Sequence, residues 1–282
     1  MNAWLAFFRR DVLAGAAFVV LVMVTAAAAL GPWLTPYEAL AVDLAANYQP
    51  SSLAHPLGTD NLGRDTLSRL IAGSRVSLGI ALASTTAGLL AGSAIGLLAA
   101  WQRGWAERLL LQLVDILLAL PELLLAITAI TVLGRGTIST VVAVAVYAVP
   151  SFARIVRAAA QPVVGGEFVL AARASGASVF RVLTRHVLPG CLSPLLAHTT
   201  VMLGSAMLLA SGLSFLGLGV QPPDAEWGAM LSRGRELLRT APLGAVAPGV
   251  AITATVLSFS VLGDSVRDAT DPWLARHWRH SR

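Results

Sequence analysis

Long apolar runs separated by short polar segments dominate this chain. Six of the runs meet or nearly meet the roughly 20 residues that a helix needs to cross a bilayer. They extend from Val12 to about Leu30, from about Val76 to Trp101, between Arg108 and Arg135, from about Ile138 to Ile155, from about Leu195 to Gly219 and from about Leu243 to Gly263. The pattern predicts an all-α polytopic membrane protein with six transmembrane helices.

Two of the polar segments carry patterns of their own. Between Glu167 and Pro189 the sequence predicts a short helix, a sharp turn at Gly176, a second helix, and a stop at the proline. On the other side of the predicted membrane, the apolar residues that follow Asp65 share one helical face. This spacing predicts an amphipathic helix that lies at the membrane surface before the second span.

Composition agrees with a membrane protein and gives it an orientation. Residues are 56% hydrophobic and only 12% charged, about half the charged fraction of a soluble domain. All 20 basic residues are arginine, and thirteen of them fall on the side of the N-terminus, against seven on the other side. The positive-inside rule therefore predicts that both termini and the 156–193 loop are cytoplasmic. An excess of arginine in such loops argues against nucleic-acid binding.

The first apolar run has a second interpretation as a cleaved signal peptide. Ala27, Ala28 and Ala29 could form the cleavage site. The uncharged run is longer than the usual 7–15-residue apolar region of a signal peptide, and its removal would leave five spans. The sequence therefore favours a retained span.

No catalytic or metal-binding constellation is found in the sequence. A phosphate-binding loop of the Walker type requires lysine, and the chain has none, so the sequence encodes no ATPase site of this kind. Cys191 is the single cysteine, and the five histidines are scattered without ligand spacing. We expect no enzyme activity, no metal site and no bound cofactor in this chain.

Two carboxylates interrupt the third apolar run. Asp115 and Glu122 are seven residues apart, which would place them on one face of a continuous helix, with Pro121 as a possible kink. Three roles stay open for them: structural hydrogen bonding within the bundle, lining of a transport pathway, and proton transfer.

Small residues recur in the second run. Gly88, Gly92 and Gly96 are spaced every fourth residue, a pattern that lets another helix approach closely in lipid. The sequence leaves open whether the neighbouring helix belongs to this chain or to a partner.

Three motifs carry a resemblance to a known family. The loop motif contains Ala171, Ala172, Gly176, Leu188 and Pro189 in the spacing of the cytoplasmic coupling loop of ABC-importer permeases. The other two motifs include Gly58, Thr59, Asp60, Gly63, Arg64 and Asp65 in the first and Phe215, Gly217, Gly219, Trp227 and Gly228 in the second. Together they resemble the permease subunits of the dipeptide, oligopeptide and nickel family of bacterial ABC importers.

The resemblance implies a type I ABC-importer permease fold and a set of partners. Residues 1–73 would form an N-terminal span with an extracytoplasmic segment, residues 74–264 the permease domain with its coupling loop at 156–193, and residues 265–282 a cytoplasmic tail. The implied partners are a second permease, two ATPase subunits that use ATP, and an extracytoplasmic binding protein, all at the inner membrane.

One position departs from the coupling signature. Where the family has glutamate before Ala171, this chain has Leu170, and the nearest acid is Glu167. Residues three apart are neighbours on a helix, so Glu167 could take over the contact.

Transport of dipeptides or oligopeptides is the function that the resemblance favours. A nickel or metal-chelate importer is the alternative within the family. The alternative from another class is a stand-alone secondary transporter with Asp115 and Glu122 as a proton relay, although the sequence shows no convincing repeat of the kind such transporters contain.

Overall fold

The computed structural model describes residues 12–102, 104–239 and 241–270, and these are almost entirely helical. Ten α-helices follow one another: α1 Val12–Leu34, α2 Thr66–Trp101, α3 Trp105–Ala119, α4 Glu122–Leu133, α5 Thr137–Val164, α6 Glu167–Ala174, α7 Val179–Val182, α8 Leu188–Phe215, α9 Trp227–Gly234 and α10 Leu243–Thr270. Within the described ranges there is no strand beyond one isolated bridge between Thr59 and Asp65. The predicted all-α class is confirmed.

Five segments of helix are long and apolar enough to cross a membrane, namely α1, α2, α5, the continuous stretch from α7 through α8, and α10. Helices α3 and α4 pass the same test of length and hydropathy only as a pair, and they meet at 98°. The break falls at Leu120 and Pro121, which lie between the two helices. The expected kink at Pro121 is therefore a sharp corner.

The helices form a bundle with two distinct ends. We call the end that contains residues 35–65 and 216–239 the Asp60 end, and the end that contains residues 165–178 the Gly176 end. Helices α2 and α5 run from the Asp60 end to the Gly176 end, and α8 returns. One apolar cluster, including Met207 and Leu213, lies towards the Asp60 end, and a second, including Phe152 and Val156, lies towards the Gly176 end.

The glycine strip of α2 packs against α5 of the same chain. A Cβ added to Gly88 would lie 2.5 Å from the Cβ of Ala148, and one added to Gly92 would lie 2.5 Å from the carbonyl oxygen of Val149. Gly96 is equally close to the carbonyl oxygen of Ala153. The contacts advance together along both sequences, so the two helices are parallel and their backbones touch.

A helix begins after Asp65 as predicted, but the prediction that it lies at the membrane surface is wrong. Residues from Thr66 to Trp101 form a single helix of 36 residues, about 54 Å long at 1.5 Å per residue. Its first turns are not free to lie on a membrane, because Ser68 and Arg69 are buried there. The predicted domain boundary between residues 73 and 74 lies inside this helix.

Candidate functional site

The loop at the Gly176 end is built around a glycine in the left-handed conformation. Helix α6 ends where Gly176 adopts a φ of +78°. Its N–H donates to the carbonyl of Arg173 at 3.0 Å, and the N–H of Ala177 donates to Ala172 at 3.1 Å. This pair of bonds is the Schellman arrangement, which favours glycine at that position. The Ser178 hydroxyl then accepts from the N–H of Arg181 and caps α7.

One side of this loop is fixed to the bundle. Val169, Val182 and Val187 are fully buried in the same apolar cluster as Phe152 and Val156. Arg173 lies over the ring of Trp101, 5.1 Å from its centroid. The loop is thus held on the bundle by side chains from both of its short helices.

The other side of the loop is an exposed apolar surface. Phe168 is 54% exposed, Leu170 55% and Phe180 77%. Glu167 and Ala171 are exposed as well, so the two positions considered for the acidic contact both face outwards. We call this set, Glu167, Phe168, Leu170, Ala171 and Phe180, the exposed loop surface.

Pro189 does not stop the second helix, contrary to the sequence prediction. A π-helical turn, Leu183–Val187, joins α7 to α8, so helix continues from Val179 to Phe215. Pro189 lies in the first turn of α8. A proline lacks the N–H that an α-helix would use there, and the wider π turn before it accommodates that loss.

Asp115 and Glu122 do not share a helix face, because the chain turns between them. Asp115 accepts a hydrogen bond from Arg154 of α5 at 2.8 Å, and both side chains are more than half exposed. Glu122 is in the first turn of α4 and faces Tyr147. A second ion pair joins Glu107 to Arg157 at 2.6 Å. The two carboxylates thus have separate partners on α5.

A compact charged network forms the first motif at the Asp60 end. The Asp60 carboxylate accepts from the backbone N–H groups of Leu62 and Arg64 and from the Arg64 guanidinium. Asp65 caps α2 by accepting from the Ser68 N–H at 2.8 Å. Arg64 and Asp65 are each only 3% exposed. Charges this well paired serve to fix the loop in one conformation.

Tight backbone packing supports the network. Gly63 has a φ of +70°, and a Cβ there would overlap the carbonyl oxygen of Asp43. A Cβ on Gly58 would lie 2.6 Å from the carbonyl oxygen of Gln49. The Thr59 hydroxyl donates to the carbonyl of Ala46. The first motif therefore specifies a folded loop.

The second motif ends α8 and places α9 against α2. Helix α8 ends at Phe215, and Gly217 follows with a φ of +77° in a second Schellman arrangement. Gly219 and Gly228 pack closely on the Ser214 and Ser211 backbone. The helix therefore ends at Phe215, four residues before the predicted end of the span at about Gly219.

Trp227 is buried at this junction. It is 2% exposed, and its indole N–H donates to the carbonyl of Leu70 at 2.9 Å. The small size of Gly73 makes room for the ring. The motif thus joins α9 to α2 inside the protein.

Sequence reasoning missed the residue at the centre of this junction. Glu226 is 1% exposed and accepts from the N–H groups of Gly228 and Ala229 and from the Ser77 hydroxyl. Burial raises the pKa of its carboxyl, although the hydrogen bonds oppose that change. Glutamate is not a usual helix cap, and Ser77 is 149 positions away, so local sequence gave no signal.

No group of three or more potential metal ligands occurs among residues 12–102, 104–239 and 241–270. His198 contacts Ser151 at 2.8 Å, and His55 contacts Asp65 at 3.0 Å. The imidazole of each of these two histidines thus has one hydrogen-bonding partner rather than a ligand set.

Two family models match this chain. Residues 92–276 match the family described as "Binding-protein-dependent transport system inner membrane component", and residues 2–50 match the "N-terminal TM domain of oligopeptide transport permease C". The glutathione transport system permease protein GsiD of Pectobacterium atrosepticum is 42% identical over 96% of this chain and 90% of its own length.

A second relative and one solved structure extend the comparison. The di/tripeptide transport system permease protein DppC of Pseudomonas aeruginosa is 41% identical over 94% of this chain and 89% of its own. The MetNI methionine ABC transporter in an inward-facing conformation has a similar fold, with a TM-score of 0.58 and 20% identity over 72% of this chain and 96% of that one. The chain belongs to the family of inner-membrane permease components of binding-protein-dependent ABC importers.

Proposed function

We propose that this chain is one of two permease subunits in an importer of short peptides, and that the exposed loop surface docks on an ATPase subunit. The observation that carries the proposal is the loop at the Gly176 end. Its buried side is fixed to α2 and α5, while Phe168, Leu170 and Phe180 project apolar surface outwards. Exposed apolar side chains grouped on a rigid base are typical of a protein interface.

Membership of the family requires a motor on another polypeptide, and this loop is suited to transmit its motion. Movement of α6 would reach α2 through Val169 and through the contact of Arg173 with Trp101. In this proposal the Gly176 end faces the cytoplasm, where ATP is found, and the Asp60 end faces the binding protein. The charge distribution of the sequence supports this orientation.

Peptides are the substrate class that we propose. GsiD is named for glutathione and DppC for di- and tripeptides, and both relatives cover nearly the whole chain. These names favour peptides over the nickel alternative. Family membership also excludes the stand-alone secondary transporter.

Replacement of Gly176 by valine tests the docking role. A β-branched residue at a φ of +78° is strained, and the strain would reshape the exposed loop surface without a clash, because no atom lies within 4 Å of the added Cβ. We expect membrane insertion to persist, while peptide uptake and the stimulation of ATP hydrolysis by loaded binding protein are lost.

Gly165→Val provides the matched control. Gly165 has an ordinary φ of −80°, and its added Cβ would make only normal contacts at 3.8 Å or more. This variant should transport like the parent. Full uptake by Gly176→Val would refute the docking role.

A further inference from the structure

A small cavity of about 80 Å³ lies at the Asp60 end, between the first motif and the segment that follows α9. Thr59, Asp60 and Asn61 line one side, and Met230 and Arg233 line the other. Arg69, at the start of α2, lines it as well and is 2% exposed. The cavity therefore brings two guanidinium groups to one place.

Two arginines beside the cavity share the single carboxylate of Asp60. Asp60 is engaged by Arg64, whose Nη2 lies 2.7 Å from Oδ2. The Nε of Arg69 is 3.6 Å from the same oxygen, too far for a hydrogen bond. Arg69 donates one hydrogen bond, at 3.1 Å, to the carbonyl of Ala39. Most of its donors thus have no protein acceptor in the described part of the chain.

The guanidinium of Arg233 has even fewer protein partners than that of Arg69. Across the described residues its guanidinium forms neither a hydrogen bond nor an ion pair. Burial, followed by the nearby positive charge of Arg64, lowers the pKa of its guanidinium. Glu236 also lines the cavity, but it is exposed and forms no ion pair in these same ranges. An added anion between Arg69 and Arg233 would relieve this repulsion.

We propose that this cavity receives one carboxylate side chain of the extracytoplasmic binding protein when that protein docks. The inference rests on the proposed function, which places the binding protein at this end. Pockets for whole ligands measure roughly 300–1,000 Å³, so the cavity suits a single acid group and not a peptide. Two guanidinium groups offer the paired donors that a carboxylate accepts.

The test measures binding of the peptide-loaded binding protein to the complete transporter in lipid nanodiscs. We expect Arg233→Gln to weaken binding by at least about tenfold, since loss of one partner of a desolvated charge pair is costly. Arg233→Lys should bind with intermediate affinity, because it keeps the charge. Binding by this variant would also show that the fold tolerates a change at this position. Glu236→Gln should strengthen binding, because it removes a competing carboxylate.

Arg235→Gln is the matched control. Arg235 carries the same charge two positions away, but it is exposed and lies over the ring of Phe215 at 5.1 Å. This variant should bind like the parent, with the same dependence on salt. Parent-like binding by Arg233→Gln, or equal losses in Arg233→Gln and Arg235→Gln, would overturn the inference and leave the proposed function intact. Absence of docking by the parent transporter would overturn both.

Discussion

Glu167 lies in the first turn of α6, exposed beside Leu170, at the position where a partner would meet the loop. The sequence suggested that this acid could replace the one missing at Leu170. The fold puts both residues on the exposed loop surface. That Glu167 contacts the ATPase in place of an acid at position 170 stays a prediction.

We expect Glu167→Gln to weaken the stimulation of ATP hydrolysis by about two- to fivefold, since an exposed ion pair contributes roughly 0.2–1 kcal/mol. Adding Leu170→Glu to this variant should restore it. Glu38→Gln, the same change in an exposed residue at the Asp60 end, should have no effect. Parent-level activity in the Glu167 single variant and in the double variant would show that neither position carries the contact.

Substitution of a glycine can cost stability through backbone strain or through a steric clash, and the sequence alone does not distinguish the two. Gly63 and Gly176 differ in this respect. Both have φ values near +75°, namely +70° and +78°, and alanine in this conformation costs roughly 1–2 kcal/mol. Only Gly63 would also clash, because its Cβ would meet Asp43. We predict that Gly63→Ala lowers the melting temperature in detergent far more than Gly176→Ala. Equal losses would contradict the close packing of the first motif.

At the scale of elements, hydropathy predicted the spans well and their ends poorly. Helix α2 begins ten residues before the predicted start at Val76, because its polar residues there, such as Ser68 and Arg69, are buried against other loops. Helix α8 contains Pro189 in its first turn, because the π-helical turn before it accommodates the missing N–H of proline. Tertiary contacts decide both boundaries, and the local sequence does not record them.

The parallel seam between α2 and α5 gives a prediction of its own. Gly92→Ala would put a Cβ 2.6 Å from that of Phe152, so the helices must separate and the melting temperature should fall. Gly79→Ala is the matched control, because nothing lies within 4 Å of its added Cβ. The stability of that control should be unchanged, or its free energy of unfolding should rise by up to roughly 1 kcal/mol, because alanine has a better helix propensity than glycine. Similar behaviour of the two variants would contradict the seam.

For the whole molecule, the three sequence motifs proved informative because they mark places where distant segments meet. The first motif folds the loop before α2, and the second ties α9 to α2 through Glu226 and Trp227. The proximity of Arg69 and Arg233 around one cavity could not be predicted from the sequence, since 164 positions separate them. Such long-range pairs arise only from the packed fold.

The carboxylates of α3 and α4 give a prediction at this scale. A pump driven by ATP needs no titrating acid in its path, whereas a proton relay fails when its acid becomes an amide. The bend at Pro121 already separates Asp115 from Glu122. We therefore expect Asp115→Asn and Glu122→Gln to keep ATP-dependent uptake within about twofold of the parent, given that exposed ion pairs contribute little. Loss of that uptake in a folded, assembled variant would contradict this.

Uptake by proteoliposomes tests the central claim most directly. The vesicles would hold the complete transporter with ATP inside, loaded binding protein and a labelled dipeptide outside, and no proton gradient. We predict uptake that requires both ATP and the binding protein, and that a protonophore does not abolish. Uptake by this chain alone, driven by an imposed proton gradient without ATP, would contradict the account.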